Sequence, residues 1–366
     1  MASKQVVYIS SIPWNFSWHR QQEMMSKIAE VGYEILFVQP CFKKHPFKYG
    51  LQRKNNIWIL SVAGLPFERC SYIINWINSK IANFQINLAL KQIGFDNPIV
   101  WLDRVHGFDF NHFSRSCVTV YDLIDEITAF GRIHNNKMLI RLENKVLKEV
   151  DVLISSSQTL LKRKLQQSGR NPNRHKLFIP NAVDVKRFAS SNTIWGPLSR
   201  GKHPIIGFVG EISPRRLNYK LIHYLAYKHR EWQFVFIGPH IPQDKKNLER
   251  DNITVYSPVS GEKIPSVINA FDVGIIPYNV DNNGMDYIFP RKACEYIACG
   301  KPVVSTPLGE IEILQPWCFV AHDFNSFERG IRCSLTQSQS DVAERKKFAL
   351  SYDWDIFMSR LLSFLQ

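Results

Sequence analysis

Residues 290–306 read Pro290-Arg-Lys-Ala-Cys-Glu-Tyr-Ile-Ala-Cys-Gly-Lys-Pro-Val-Val-Ser-Thr306 and predict a helix followed by a buried strand. Proline suits the first helical turn, where its missing N–H costs nothing. Gly300 and then Pro302 end the helix, and Val303 begins an apolar strand. A helix that feeds directly into a buried strand is the repeating unit of α/β folds with a parallel sheet.

Glu295 lies in the middle of this predicted helix, among small and apolar residues. Its two carboxylate oxygens could accept hydrogen bonds from a ribose diol. Backbone amides near Ile288–Arg291 would form an anion site at the helix N-terminus. The stretch therefore predicts a sugar nucleotide as ligand, with a helix-internal salt bridge as the alternative for Glu295.

Outside this stretch, short apolar strands alternate with helical segments at the spacing of βαβ units, so we predict an α/β protein with two doubly wound, Rossmann-like domains. The predicted boundaries are an N-terminal domain at 1–180, a polar hinge at 181–203, a C-terminal domain at 204–345, and a C-terminal helix at 346–366 that crosses back to the first domain. Ligands of such sheets bind at the carboxyl ends of the strands, which predicts an active site in the interdomain cleft.

The composition excludes several classes of protein. The 366 residues are 45% hydrophobic, and no apolar run reaches the roughly 20 residues that a transmembrane helix needs. The chain begins directly with a strand rather than a signal-peptide core, and its seven cysteines form no Cys-x-x-Cys pair. We therefore expect a cytoplasmic protein without a zinc site or a disulfide framework. The glycine motifs of dehydrogenases and P-loop enzymes are also absent.

Positive charge is concentrated in the first half, where residues 1–180 carry 24 Lys and Arg against 13 Asp and Glu. A basic N-terminal half could bind nucleic acid, an anionic membrane or an acidic acceptor. A basic segment at 42–48 precedes a predicted amphipathic helix at 72–84, a pair typical of a membrane surface. The alternative is a core helix beside a solvated loop. No RNA- or DNA-binding module supports nucleic acid as a partner.

Four segments together resemble the retaining, GT-B-fold glycosyltransferases of family four, nearest to bacterial polysaccharide and teichuronic-acid-type enzymes. They are Ile179-Pro-Asn-Ala-Val-Asp-Val-Lys-Arg-Phe188, Phe208-Val-Gly-Glu-Ile-Ser-Pro-Arg-Arg-Leu-Asn218, Phe271-Asp-Val-Gly-Ile-Ile-Pro-Tyr278 and residues 290–304. The resemblance covers residues 118–306 well and the first hundred residues loosely. The chain departs from the family pattern at Tyr287, at Glu211 and at Ala182, so no particular donor sugar is carried over.

The resemblance implies a hexosyltransferase that moves a sugar from a nucleoside-diphosphate sugar to a hydroxyl, with retention and without a metal or other cofactor. The N-terminal domain would bind the acceptor, a saccharide or a lipid-linked saccharide, and the C-terminal domain the donor. Such an enzyme would work in cell-surface polysaccharide or glycolipid assembly, in the cytoplasm, in peripheral contact with the inner face of the membrane.

On the donor side, cations that meet the charge of the leaving diphosphate would supply most of the catalysis. Arg215 and Arg216, which follow a predicted strand and Gly210, are the expected catalytic clamps, although paired arginines on a loop can also face solvent. The remaining donor-binding candidates are Gly210, Glu211, Lys220, Ile288, Pro290, Lys292 and Glu295.

On the acceptor side, Asp122 ends a predicted strand where related enzymes often place a histidine near the reacting carbon. An acid there could orient a hydroxyl, and a turn-capping role for Asp122 or Asp125 is the alternative. The other acceptor-binding candidates are Trp14, Trp18, Arg20, His106 and Asp125. Aromatic rings would meet sugar faces, whereas a lone histidine is often structural.

Two rival functions stay open at this point. A sugar-nucleotide 2-epimerase would turn over its donor without any acceptor. A non-catalytic homologue would bind the nucleotide and release no diphosphate, which the unusual Glu211 would explain.

Overall fold

The computed structural model describes residues 4–15, 19–40, 50–113, 118–127, 136–169, 175–198, 201–280 and 285–365. Its contacts divide the chain into two compact units. Unit 1 comprises Met1–Ile179 and Met358–Gln366, and unit 2 comprises Pro180–Phe357. Both are α/β structures, as the strand–helix alternation predicts.

Unit 1 is built on an eight-stranded sheet in the order β3-β4-β2-β1-β5-β6-β7-β8. Its strands are β1 (Gln5–Ile9), β2 (Glu34–Gln39), β3 (Gly50–Lys54), β4 (Ile57–Ser61), β5 (Ile99–Leu102), β6 (Thr119–Leu123), β7 (Val152–Ser155) and β8 (His175–Phe178). All pairs are parallel except β3 with β4, whose two-residue hairpin places Asn55 at φ 53. The sequence analysis missed this exposed edge strand because its polar residues show no apolar alternation.

The helices of unit 1 connect these strands. They are α1 (Arg20–Glu30), α2 (Tyr72–Ile93), α3 (Phe110–Phe113), α4 (Asn136–Glu149) and α5 (Gln158–Ser168). Ser71 caps α2 by accepting the Ile74 N–H at 3.4 Å, and Gly94 ends the helix at φ 74, a left-handed conformation that favours glycine. Helix α2 therefore contains the predicted amphipathic segment 72–84 and continues to Ile93.

The side chains of α2 are arranged opposite to the expectation of a core helix. Its buried residues are largely polar: Asn75, Asn78, Ser79, Ala82, Asn83, Ile86 and Ala89. Several of its large apolar residues are exposed, with Ile73 at 72%, Trp76 at 61%, Phe84 at 70% and Leu88 at 47%, whereas Ile86 is buried. Helix α2 therefore buries one face and exposes another that carries large apolar side chains. The basic segment at 42–48, which precedes the helix, lies outside the described residues.

Unit 2 is built on a six-stranded, fully parallel sheet in the order β11-β10-β9-β12-β13-β14. Its strands are β9 (Ile205–Val209), β10 (Gln233–Ile237), β11 (Ile253–Tyr256), β12 (Val273–Ile276), β13 (Val303–Ser305) and β14 (Cys318–Val320). Its helices are α6 (Val185–Ser190), α7 (Tyr219–Lys228), α8 (Pro242–Leu248), α9 (Ile264–Asn269), α10 (Arg291–Ala298), α11 (Phe324–Leu335) and α12 (Gln339–Ala349).

Helix α10 is the helix that the opening stretch predicts, and it packs closely on β12. A Cβ at Gly274 would collide with the ring of Tyr296, so only glycine lets the helix approach this strand. The Tyr296 hydroxyl, fully buried, accepts the Val209 N–H at 2.9 Å. These contacts fix the N-terminus of α10 beside the carboxyl end of β9.

The last helix, α13 (Trp354–Leu365), begins in unit 2, and its residues from Met358 onward belong to unit 1. There the Phe364 ring lies 4.6 Å from that of His175 at the start of β8. Among the described residues, no helix combines the length and the apolar character that a bilayer crossing requires.

Candidate functional site

The candidate donor site lies in unit 2, where the strand order changes direction between β9 and β12. Chain segments leave these neighbouring strands toward opposite sides, and the space between them is the usual ligand position of a doubly wound sheet. Gly210 follows β9 at φ 150, and a Cβ on Gly238 would collide with the Gly210 carbonyl. The close approach of these two loops requires glycine at both positions.

Backbone hydrogen bonds join the loop after β9 to the segment after β12. The Asn218 N–H donates to Pro277 O at 2.8 Å, and the Asn279 N–H donates to Arg216 O at 2.9 Å. The Tyr278 N–H donates to the Thr306 hydroxyl at 3.1 Å. Arg216 and Tyr278 are therefore held next to each other by the backbone.

Two cations converge on the ring of Tyr278. Arg216 Cζ lies 5.4 Å from the ring centroid, and Lys292 Nζ lies 6.0 Å from it. The Lys292 ammonium also reaches over Gly210, where it would lie 3.2 Å from an added Cβ. Lys292 is the second residue of α10, so its charge adds to the positive end of that helix. This arrangement of cations suits a diphosphate.

The structure brings some donor-side candidates together and leaves others apart. Glu211 is half exposed, with its carboxylate 3.8 Å from Arg216 and 3.0 Å from the Ser213 hydroxyl, which donates to it. Arg215 lies exposed on the same loop, and Lys220 lies exposed in the first turn of α7. The cations placed on Tyr278 are thus Arg216 and Lys292.

Glu295 accepts a hydrogen bond from Arg291 Nε at 2.8 Å, an i,i+4 pair within α10. Its side chain is 13% exposed. The alternative expectation of a helix-internal salt bridge is confirmed, and the contact with a ribose stays a prediction. Of the predicted phosphate-binding amides, Ile288 donates to Met285 O and Arg291 to Phe289 O, while Pro290 has no N–H to offer.

Unit 1 has its own change of strand direction, between β1 and β5, and acidic groups lie there. Asp103 follows β5, and its carboxylate accepts the Ser11 N–H at 2.5 Å and the Gln21 amide at 2.8 Å. The Tyr8 hydroxyl donates to it at 3.1 Å. Burial raises the pKa of Asp103 to about 6; the charge of Asp122 adds to this rise, which the hydrogen bonds oppose.

Asp122, the predicted acceptor-side acid, is buried in β6 and paired with Arg20. Arg20 Nε and Nη2 each donate to a different oxygen of this carboxylate at 3.0 Å, and Nη1 donates to Ile179 O at 2.7 Å. This bidentate geometry replaces the turn cap that was the alternative for Asp122. Both residues were predicted to meet the acceptor, and the structure shows them bound to each other.

The remaining acceptor candidates lie in different environments. Trp14 is 5% exposed and packs edge-on against Phe37, so a sugar could meet its ring only by displacing this packing. His106 is also buried, and its Nε2 accepts a hydrogen bond from Arg69 Nε at 2.7 Å. Asp125 is exposed, and Trp18 lies outside the described residues.

Sequence reasoning missed three residues that shape these sites: Asp103, Tyr278 and Thr306. An acid directly after the apolar run at 99–102 was a usable signal for Asp103. Tyr278 and Thr306 each follow a predicted strand, but their contact with each other depends on the pairing of β12 with β13. Within the described ranges, no group of three or more His, Cys, Asp and Glu side chains is placed to hold a metal ion.

Part of the sequence is similar to a known family and to a known protein. Residues 203–336 match the family model described as Glycosyl transferases group 1. The chain is 25% identical over 243 residues to TuaH of Bacillus subtilis (strain 168), which bears the name of a teichuronic acid biosynthesis glycosyltransferase. The match covers 62% of this chain and 60% of TuaH.

Solved structures share the fold over nearly the whole chain at low sequence identity. Sucrose-phosphate synthase (tll1590) from Thermosynechococcus elongatus superposes with a TM-score of 0.76 at 12% identity, covering 98% of both chains. Anabaena Alr3699/HepE in complex with UDP gives a TM-score of 0.69 at 14% identity, covering 99% of both. The E. coli trehalose-6-phosphate protein bound with UDP-2-fluoro glucose gives 0.69 at 13% identity, covering 99% and 98%. The chain therefore has the GT-B fold that the sequence predicts, and its residues 203–336 match a glycosyl transferases group 1 domain.

Proposed function

We propose that this protein transfers a sugar from a nucleoside-diphosphate sugar to the hydroxyl of a saccharide or lipid-linked acceptor, with retention and without a metal or other cofactor. The observation that carries the proposal is the pair Arg216 and Lys292 on the Tyr278 ring, beside Gly210 in the group 1 domain. The UDP complexes of two structural neighbours support a nucleoside diphosphate as the donor's leaving group.

In this reaction the bond between the sugar's anomeric carbon and the diphosphate oxygen breaks, and its electron pair stays on the diphosphate. The guanidinium of Arg216 and the ammonium of Lys292 would stabilise this developing charge. The acceptor oxygen forms the new bond on the face that the diphosphate leaves, and its proton passes to a departing phosphate oxygen. Retention rests on the family resemblance, and a role in cell-surface polysaccharide or glycolipid assembly is supported by the similarity to TuaH.

The 3.8 Å contact between Glu211 and Arg216 favours one second candidate, a protein that binds the nucleotide without turnover. A carboxylate beside the clamp offsets part of the charge that a leaving diphosphate needs. The binder would be stabilised by donor but would release no nucleoside diphosphate.

A donor panel tests the proposal. The protein is incubated with UDP-, GDP- and dTDP-sugars, and its thermal unfolding is measured together with release of nucleoside diphosphate, with and without saccharide acceptors. A donor at about 100 times its dissociation constant adds roughly 2.7 kcal/mol to the free energy of unfolding. Acceptor-dependent release supports the transferase. Release without acceptor points to an epimerase or hydrolase, and stabilisation without release supports the binder.

We also propose that unit 1 associates peripherally with an anionic membrane through the outer face of α2, defined as Ile73, Trp76, Lys80, Phe84, Leu88 and Lys91. Four large apolar side chains are exposed there, beside two lysines, on a half of the chain that carries most of the net positive charge. Apolar residues that enter the interface and lysines that meet anionic headgroups favour such a surface. The cytoplasmic leaflet supplies anionic lipids, which places the protein at the inner face of the membrane.

Vesicle co-sedimentation tests this association. We expect binding to vesicles that contain phosphatidylglycerol, weaker binding to neutral phosphatidylcholine vesicles, and loss of binding in the double variant Trp76→Ser with Phe84→Ser. The matched control is Tyr227→Ser, since Tyr227 is 78% exposed in unit 2. Equal sedimentation of the double variant and the parent protein would contradict the proposal.

A further inference from the structure

A cavity of about 650 Å³ lies in unit 1 behind the loop that follows β4. It is at the same edge of the sheet as Asp103, because its walls come from segments that follow β2, β4 and β5. Pro40, Val62, Ala63, Leu65, Pro66 and Phe67 give it apolar walls. This volume lies within the range of pockets that hold small organic ligands.

One end of the cavity is cationic. Arg104 lines it and is 5% exposed, and its Nε has no hydrogen-bond partner among the described residues. Its only ion pair there is a 3.9 Å contact from Nη1 to Glu68. Arg69 also lines the cavity, beside Glu68, and the Asp103 carboxylate acts on Arg104 as a second negative charge. Burial lowers the pKa of His106, which keeps this neighbour uncharged at neutral pH.

A buried guanidinium with an unused donor requires an acceptor, since leaving it unpaired costs free energy. The unused Nε donor of Arg104 favours an anion, and a phosphate matches the geometry of arginine donors. The adjoining apolar walls favour a hydrocarbon. Together these features favour one molecule that carries both groups.

The polar inner face of α2 holds the cavity walls in place. Asn78 accepts the Leu65 N–H at 2.7 Å and donates to Leu65 O at 2.8 Å and to Glu68 at 3.0 Å. Asn75 accepts the Gly107 N–H at 2.9 Å. These hydrogen bonds explain why α2 buries asparagines. They also hold the cavity walls in position without a bound ligand.

The cavity is also continuous along the chain with the outer face of α2. Phe67 is 72% exposed at the rim, and the loop runs from there through Cys70 into the first turn of the helix. An apolar chain that leaves the rim would therefore reach the surface that we assign to the membrane.

We propose that this cavity binds an apolar chain that bears a phosphate, the carrier end of a lipid-linked acceptor, with the phosphate at Arg104 and the chain along the Val62–Phe67 wall. The inference rests on the proposed function, in which unit 1 receives the acceptor. It narrows the acceptor class from any saccharide to a saccharide joined to a lipid through phosphate.

Isothermal titration calorimetry of the full chain tests the site with three probes: decyl phosphate below its micellar concentration, decanol and inorganic phosphate. We expect measurable binding of decyl phosphate only. Arg104→Gln should weaken that binding tenfold or more, whereas Glu68→Gln should strengthen it, because it removes the competing negative charge. Arg53→Gln, on the exposed strand β3, is the matched control and should leave binding unchanged.

Arg104→Gln could fail to fold, so Ala63→Phe, which fills the apolar wall, is a second variant; it should abolish binding of decyl phosphate. Thermal unfolding of each variant checks its fold, and stabilisation by the donor checks unit 2 separately. Equal affinity for inorganic phosphate or for decanol would overturn the proposal, as would loss of binding in Arg53→Gln. If decyl phosphate fails to bind while the donor still stabilises the protein, this inference is wrong and the proposed transferase is untouched.

Discussion

The two units are built on the same doubly wound plan, yet different charged groups lie at the points where their strand order changes direction. Unit 1 contains most of the net charge, but Asp103 and Asp122 lie at its strand ends. Unit 2 is nearly neutral overall, but Arg216 and Lys292 converge beside Gly210. Net charge therefore describes the surface of a unit and not its ligand site, since side chains at a few strand ends determine the local field.

These different groups fit the two halves of a glycosyl transfer. A diphosphate that leaves with negative charge favours the cations of unit 2. A hydroxyl acceptor favours a hydrogen-bond acceptor such as the Asp103 carboxylate of unit 1. The expectation that the reaction takes place between the units stays a prediction.

The largest effect is expected from removing the cations of unit 2. Loss of one charge-stabilising donor typically costs about 10²–10³-fold in turnover, so Arg216→Ala combined with Lys292→Ala should lower turnover by about 10⁴-fold or more. Both side chains are partly exposed, so the thermal midpoint should change little. Lys246→Ala, which removes an exposed lysine of α8, is the control for nonspecific loss of charge. A fall in donor affinity with unchanged turnover would assign the pair to binding alone.

The acidic site of unit 1 is tested by breaking its buried ion pair. Asp122→Ala leaves the Arg20 charge buried without its carboxylate, which should cost about 3–5 kcal/mol of the free energy of unfolding. Urea denaturation measures this cost. Asp251→Ala removes the partner of an exposed ion pair with Arg230 and should cost at most about 1 kcal/mol. Equal losses in the two variants would mean that burial adds nothing to the Arg20–Asp122 pair.

A third prediction concerns whether Glu295 binds the ribose of the donor or only forms the salt bridge with Arg291. If the carboxylate binds the donor, Glu295→Ala should raise the KM for the donor by about 10–100-fold, the worth of charged hydrogen bonds of about 1.5–3 kcal/mol. Arg291→Ala, which removes only the helix partner, should leave KM nearly unchanged. Steady-state kinetics of the two variants decides, and identical effects would reduce Glu295 to the partner of Arg291.

The raised pKa of Asp103 predicts a pH dependence in unit 1. With a folded pKa of about 6 against an ordinary value near 3.9, the folded state holds this proton more tightly than the unfolded state. The contribution of Asp103 to stability is therefore fully present below about pH 4 and is lost as the pH rises to about 6. The thermal midpoint of the parent protein should fall relative to that of Asp103→Asn across this window. Parallel pH profiles would show that the folded pKa of Asp103 is ordinary.

The smallest effect on stability is expected at the outer face of α2. Ile73→Ser removes an apolar side chain that is 72% exposed, so the free energy of unfolding should change by no more than about 0.5 kcal/mol. Ile86→Ser, on the buried face of the same helix, should cost several times more and serves as the contrast. Urea denaturation compares the two, and equal losses would mean that the outer face is covered in the folded protein.

Local sequence patterns predicted helices and strands but not which parts of the fold they pack against. The stretch 290–306 predicted α10 and β13 correctly because proline, glycine and the apolar pair act within a few residues. The apolar spacing of α2 predicted a helix but not which face is buried. The buried face is the one that carries Asn75 and Asn78, because these side chains accept the backbone N–H groups of Gly107 and Leu65 in two loops of unit 1. The spacing of apolar residues along the helix gives no sign of these contacts.

The same limit applies to the candidate site. Arg215 and Arg216 were the expected clamps and Lys292 a further donor-binding candidate, and the structure places Arg216 and Lys292 on the same tyrosine ring. Asp122 was expected to face the acceptor, but Arg20 from the start of α1 occupies both of its oxygens. In each case the sequence identified the residue but not the side chain that it contacts.

The sequence by itself determined the α/β class, the helix and strand of residues 290–306 and the resemblance to glycosyltransferases, because these depend on residues close together in the chain. Only the tertiary structure decided that Arg216 and Lys292 share one tyrosine ring, that Asp122 is paired and that α2 turns its apolar face outward. These outcomes depend on sheet register and long-range packing, where a shift of one position changes which side chains meet.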